Sequence, residues 1–233
     1  IYTGEDTLSL HDALPIFDGG RVLAYRTALE LDMLKHHPDA GRKAAAQLWC
    51  SLVTPVIKAA FTHQAFHGGS DCLQVFGGHG YVREWGIEQI LRDARVAMIY
   101  EGTNEIQAID LLVRKVLPDG GESFASMLNA LCTELDADAI AHPALRAQVD
   151  ALCAVTALLV AQSKDQPELP YWVAEDFLRA VAITLLAWAW HKIKAIAPSA
   201  AEPSRWLVPA SALRDWVLPE FDMRVGIIKA RLR

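Results

Sequence analysis

The chain has 233 residues, 52% of them hydrophobic, with 22 Lys and Arg against 28 Asp and Glu. So small an imbalance, without clustered base, argues against a nucleic-acid surface. Length and apolar content suffice for a real core, in one large domain or two smaller ones.

The first sixteen residues, IYTGEDTLSLHDALPI, fit neither a clean helix nor a clean strand. The codons ACT CTT TCC CTA CAC GAC GCT CTT CCG ATC would encode Thr7 to Ile16, and they reproduce the end of a common short-read sequencing adapter. The adapter's upstream part would give Ile1, Tyr2, Thr3 and Asp6. Residues 1–16 are therefore expected to be a non-native, adapter-derived tail with no organised contact to the rest. The alternative is a genuine N-terminal tail. Without Glu5, Asp6 and Asp12 the remainder carries 25 acids against 22 bases.

Beyond Phe17 the texture is helical, with no sustained period-2 alternation. GGRVLAYRTALELDMLKHH sets Val22, Leu23, Leu29 and Met33 on one stripe, closed by Pro38. DAGRKAAAQLWCSLV runs to Thr54-Pro55, which reads as a cap followed by proline at the first position of a new helix. VIKAAFTHQAF continues it until Gly68-Gly69 interrupts or loosens the pattern. GIEQILRDARVAMIY places Ile87, Ile90, Leu91, Ala94 and Met98 on a core-facing stripe. After EGTNE, a further stripe comprises Ile106, Ile109, Leu112, Val113, Val116 and Leu117, with Asp110, Arg114 and Lys115 outside.

LPDGG, Leu117 to Gly121, is the clearest punctuation in the chain. It predicts a boundary between a first helical domain, 17–118, and a second helical region, 122–233. The second has helices expected near 122–138, 143–163, 171–196 and 209–231. The whole is predicted all-α.

The most apolar run, FLRAVAITLLAWAWHKIKAIA, holds Arg179, His191, Lys192 and Lys194. Its uninterrupted apolar core is about ten residues, short of the roughly 20 a bilayer demands. A buried helix and no membrane span are expected. Cys50, Cys72, Cys132 and Cys153 lack CxxC spacing and read as reduced core thiols of a cytoplasmic protein. His63 and His67, with Cys72 nearby, lack a fourth ligand, so no metal site is expected. The seven tryptophans read as packing residues.

Two features carry chemistry. Gly77, Gly78 and Gly80 follow a helix, whereas a dinucleotide fingerprint follows a strand. They form either a tight interhelical turn or a bare-backbone edge that another molecule can approach. Glu101 lies between two patterned helices and precedes Gly102, with Thr103 or Asn104 able to cap the next helix. It is either a solvated loop glutamate or, if buried in a cleft, a general base.

Here QVFGGHGY, RDAR and IYEGTNEIQ, in this order and spacing, resemble the C-terminal helical domain of the flavin-dependent acyl-CoA dehydrogenases, over about residues 17–117. GGHGYVREWG and the added helices resemble the subgroup with a C-terminal extension, which includes 3-methylmercaptopropionyl-CoA dehydrogenases. The resemblance implies oxidation of an acyl-CoA to a trans-2-enoyl-CoA with FAD. Glu101 would be the base for the α-proton, its own amide would hold the thioester oxygen, and Gly102 would give clearance to the substrate. Gln74, Gly77 and Gly78 match positions that meet the adenosine half of FAD held mainly by a neighbouring subunit, which implies a homo-oligomer, dimer or tetramer. Thr103 matches a flavin contact, and Glu105 stands where some members carry glutamine. Arg92 and Asp93 read as a structural ion pair.

An electron-transfer flavoprotein or similar acceptor is the implied partner. The family's N-terminal helical and middle β-domains are not in this sequence, so it is expected to be a C-terminal fragment that does not turn over alone. The competing reading is a catalytically inactive helical flavoprotein relative acting in binding or assembly.

Overall fold

The computed structural model describes residues 13–232. Ten α-helices follow one another with no strand among the described residues: α1 Ala13–His36, α2 Ala40–Phe76, α3 Gly78–Tyr81, α4 Ile87–Ala97, α5 Asn104–Ile109, α6 Glu122–Ala137, α7 Pro143–Gln162, α8 Leu169–Ile196, α9 Ser204–Ala212 and α10 Glu220–Arg231. The all-α expectation holds.

α8 is the axis of the bundle. Every residue from Ala180 to Trp190 is buried, so over three turns the helix has no water-facing stripe and must be enclosed. It packs against α1, α2, α5, α7, α9 and α10. Two glycines near the start of α1 make close approach possible. A Cβ on Gly19 would stand 2.9 Å from both Leu186 Cδ2 and Trp190 Nε1, and one on Gly20 would stand 3.2 Å from Phe61.

α1 begins before the expected boundary at Phe17. Ala13, Pro15 and Ile16 are buried, and Trp190 Nε1 donates to Pro15 O at 2.7 Å. The expectation of no organised contact therefore fails for Ala13–Ile16. The apolar content of ALPI lets it extend the helix over α8. Residues 1–12 lie outside the described residues.

α2 corrects a second expectation. Thr54-Pro55 starts no new helix, because α2 runs unbroken for 37 residues with Pro55 inside it. Proline lacks the N–H that would meet Ser51 O one turn back. Lys115 Nζ supplies the missing donor at 2.8 Å, and Lys115 also pairs with Asp110 Oδ2 at 2.7 Å. Gly68-Gly69 likewise does not interrupt the helix. It lets α4 come close, with Leu91 Cα 3.6 Å from where a Cβ on Gly69 would be.

After α5 the helix widens into a π-turn over Asp110–Val116. This shift turns Leu111 inward beside Leu112 and Val116, where the α-periodic stripe omits it. Ile106, expected inside, is 42% exposed. The LPDGG punctuation is a real turn, with Gly120 and Gly121 both at positive φ, yet it is no seam between cores. One hydrophobic cluster runs from Ile16 through Trp49, Leu111 and Phe177 to Leu232.

A charged knot fastens the two halves. Glu30, 1% exposed, meets Arg26 at 2.7 Å and Arg42 at 2.6 Å, and Arg26 reaches Glu134 of α6 at 2.6 Å. The Arg26 guanidinium also lies 5.0 Å from the Trp49 ring and 5.6 Å from the Trp188 ring. Burial pushes the Glu30 carboxyl up, but Arg42 and Arg26 more than offset this and hold it below the usual range. The expected last helix is two, since α9 and the π-turn Leu213–Val217 end before α10. Trp49, Trp188 and Trp190 are core residues, whereas Trp85, Trp172 and Trp216 are exposed, against expectation.

By length and composition, Ala40–Phe76, Pro143–Gln162 and Leu169–Ser199 are each long and apolar enough to cross a membrane. This corrects the sequence reading, which required an uninterrupted run where a window with a few charges also qualifies. In the structure, 72% of the Leu169–Ser199 window is buried among other helices.

Candidate active site

The loop joining α4 to α5 carries Glu101. Glu101 and Gly102 both lie in the left-handed region, at φ 54 and 85. Glycine tolerates this, but glutamate adopts it at a cost of about 1–2 kcal/mol, so surrounding contacts must over-determine the conformation. Asn104 N closes the loop on Met98 O at 3.2 Å. Gln107 Nε2 donates to Glu101 O at 3.2 Å, and Lys58 Nζ of α2 donates to Gly102 O at 2.7 Å. A Cβ on Gly102 would stand 3.0 Å from Gln107 Nε2, so glycine preserves that bond as well as the φ angle.

Of the two candidate caps, Thr103 is the one used, accepting from Ile106 N at 3.4 Å. Asn104 instead turns to α2. Its Oδ1 accepts from Lys58 Nζ at 3.1 Å and Thr62 Oγ1 at 2.9 Å, and its Nδ2 donates to Ala59 O at 3.3 Å. Glu105 is exposed, and the Thr103 hydroxyl together with its own amide holds its carboxyl below the usual range.

The Glu101 side chain is exposed in this chain. The expected burial of the carboxylate in a cleft is therefore not provided by residues 13–232. Its amide N–H makes no hydrogen bond among the described residues. A free N–H beside an exposed carboxylate, on a loop fixed through its carbonyls, suits donation to an oxygen and removal of a proton from one small molecule.

The glycine turn forms a separate edge. α2 ends at Phe76, Gly77 takes φ 58, and Gly77 N donates to Gln74 O at 2.9 Å. Gln74 and Gly78 are exposed, and a Cβ on Gly78 would meet nothing within 4 Å. Gly80 is the packing member, since its Cβ would strike Leu73 O at 2.7 Å. The turn's own bonds occupy Gln74 O, Gly77 N and Gly77 O, so the open edge is at Gly78, with the exposed Gln74 nearby in the chain.

α4 carries the other surface feature. None of its residues is buried, and Ile90, expected inside, is 58% exposed. Tyr81, Trp85, Val96, Ile99 and Tyr100 are exposed as well. Asp93 accepts from Gln89 Nε2 at 2.8 Å, not from Arg92. His63 and His67 stack with ring centroids 4.1 Å apart; among the described residues no group of three or more His, Cys, Asp or Glu gathers as a metal site. All four cysteines are free, with Cys50 and Cys132 buried.

An all-α domain with an open glycine turn and a strained Glu-Gly loop fastened to a long helix is a recognisable design. Residues 12–117 match the family model "Acyl-CoA dehydrogenase, C-terminal domain", and this part of the chain belongs to the acyl-CoA dehydrogenase family. Among its relatives, the 3-methylmercaptopropionyl-CoA dehydrogenase of Ruegeria pomeroyi is 45% identical over 121 residues, 51% of this chain and 20% of the relative. The broad-specificity linear acyl-CoA dehydrogenase FadE5 of Mycobacterium tuberculosis is 30% identical over 65% of this chain and 27% of its own. The crystal structure of Caenorhabditis elegans ACDH-11 in complex with C11-CoA superposes with a TM-score of 0.67 at 21% identity, over 95% of this chain and 38% of that one. That likeness concerns the fold, and it takes in the extension as well as residues 12–117. The chain spans about a fifth to two fifths of the length of these relatives.

Proposed function

We propose that this chain is the C-terminal helical part of an FAD-dependent acyl-CoA dehydrogenase, oxidising an acyl-CoA to a trans-2-enoyl-CoA. The observation that carries the reading is Glu101: a carboxylate on a left-handed residue, held by donors to the Glu101 and Gly102 carbonyls, with its own N–H free. Glu101 takes the α-proton, and its amide N–H donates to the thioester oxygen as negative charge builds there. FAD, when bound, supplies the acceptor for the β-hydride. Gly102 keeps the backbone slim beside the substrate. In water a carboxylate is a weak base toward such a proton; the rest of the enzyme covers the exposed Glu101 and raises its basicity by desolvation.

Gln74, Gly77 and Gly78 would hold the adenosine half of FAD, and Thr103 and Glu105 would contact its flavin. The exposed apolar side chains from Phe76 to Ile106 support a further partner surface, since single scattered apolar residues are normal but a run of them marks contact. We assign it to the enzyme's other domains and a second subunit in a homo-oligomer. An electron-transfer flavoprotein or similar carrier takes the electrons, in the cytoplasm.

Glu101→Gln in the complete flavoenzyme tests this. Bleaching of the oxidised flavin by acyl-CoA, followed by stopped flow, should slow by roughly 10²–10⁴-fold, with FAD content and acyl-CoA affinity little changed. Wild-type bleaching would place the base elsewhere. Loss of FAD together with activity would make Glu101 structural, and a complete wild-type protein that binds FAD yet never bleaches would favour an inactive relative.

A further inference from the structure

We infer that Lys58 is the positioning residue of the Glu101 loop, and this rests on the reading of Glu101 as the base. Lys58 is half-buried in the middle of α2, 43 residues before Glu101 in sequence. Its ammonium has no carboxylate within ion-pair distance among the described residues. It donates instead to two neutral oxygens of the loop, Gly102 O at 2.7 Å and Asn104 Oδ1 at 3.1 Å. These flank Thr103, the one residue between the strained pair and the start of α5.

Thr62 looks like a second clamp but does not replace the first. Its hydroxyl has one proton and three acceptors in range: Lys58 O at 2.8 Å, Ala59 O at 3.3 Å and Asn104 Oδ1 at 2.9 Å. Serving its own helix leaves Asn104 Oδ1 without that donor. Lys58 carries three N–H donors and serves both loop oxygens at once, with the added strength of a charged donor. Gln107 then holds only the Glu101 carbonyl, from within the segment that moves with the loop. Asn104 Nδ2 also reaches α2, donating to Ala59 O at 3.3 Å, but of these contacts only Lys58 carries charge and binds the carbonyl of the strained pair at Gly102. It thus fixes where the Glu101 carboxylate and N–H stand relative to a bound thioester. Misplacement by an ångström at such a group has a large effect on rate.

The test uses two variants and two readouts. Lys58→Met keeps the stem and removes the donors, whereas Asn104→Ala removes the shared acceptor and the bond to Ala59 O without changing an α2 residue, so a folding failure of one leaves the other. In the 233-residue chain, amide hydrogen exchange at Asn104 N–H, which closes the loop, should rise at least tenfold in Lys58→Met while α7 and α8 stay as in the parent. In the complete flavoenzyme, flavin reduction should slow tenfold or more, with acyl-CoA affinity within about threefold. The isotope effect with α-deuterated acyl-CoA should rise, because a displaced base makes that proton transfer more limiting; a merely structural lysine would not move it. Lys58→Arg should restore part of the rate.

Unchanged exchange in both variants would overturn the clamp. Faster exchange with a wild-type reduction rate and isotope effect would overturn the positioning role. If Glu101→Gln bleaches flavin like the wild type, the base reading falls and takes the catalytic half of this inference with it, and the exchange result still decides whether Lys58 holds the loop.

Discussion

Lys115→Met is the perturbation most directly worked from the fold. Pro55 leaves Ser51 O without its helical donor, and Lys115 Nζ fills the gap at 2.8 Å. Methionine keeps the stem length and removes the charge. A hydrogen bond from a charged donor contributes roughly 1.5–3 kcal/mol net. Lys115 and Asp110 side chains are each 26% exposed, which pulls the expectation to the lower end, about 1.5 kcal/mol. In a chain of this size that is a fall of roughly 3–6 °C in thermal midpoint.

Pro55→Ala supplies the control, because it restores a backbone N–H at that position to serve Ser51 O. In that background Lys115→Met should lose only the Asp110 pair, about 0.5 kcal/mol. The coupling, near 1 kcal/mol, exceeds the roughly 0.3–0.5 kcal/mol within which independent sites add. Urea unfolding of the four proteins, followed by far-ultraviolet circular dichroism with a shared slope, measures it. Equal costs in the two backgrounds would refute the account of how α2 carries its proline.

Two further outcomes follow from burial. Burial, then His67, pushes His63 from 6.5 down to about 4, so the unfolded chain takes up a proton that the folded chain refuses between these values. The stabilising difference is complete above about pH 6.5 and is lost as pH falls toward 4; His63→Leu should shrink the drop in thermal midpoint between pH 7.5 and 5, and an unaltered drop would count against the assignment. Starting the chain at Phe17 removes the acceptor of Trp190 Nε1 and the buried Ile16. It should cost about 2 kcal/mol or more, visible as a lower melting midpoint, and no change would mean that Ala13–Ile16 is a passive tail.

Composition and periodicity made the helices and the loop chemistry legible. Glu101-Gly102, the cap at Thr103 and the open turn at Gly77-Gly78 are local features that short motifs encode. What the sequence concealed was tertiary. Proline rules end α2 at Thr54 because nothing local says that a lysine far along the chain will satisfy Ser51 O. A 3.6-residue period misses Leu111, since the π-turn that brings it inside is set by packing against α2 and α8. Nothing in the sequence singles out Lys58 until the loop is laid against it. Ile90 reads as core because its stripe is genuine, yet nothing among the described residues covers it.

The enclosure of α8 has a consequence for the timing of folding. A ribosome releases α1 and α2 roughly a hundred residues before it completes α8, and the helix that covers Leu23, Val53 and Val56 does not yet exist. The hairpin must wait with its apolar side open, and the contacts that close it join positions far apart in the chain, the kind that form slowly. During that interval the nascent chain exposes apolar surface that other chains can bind. The extension thus sets the moment at which the part bearing the Glu101 loop becomes rigid, since the helix that completes its core is made long after the loop itself.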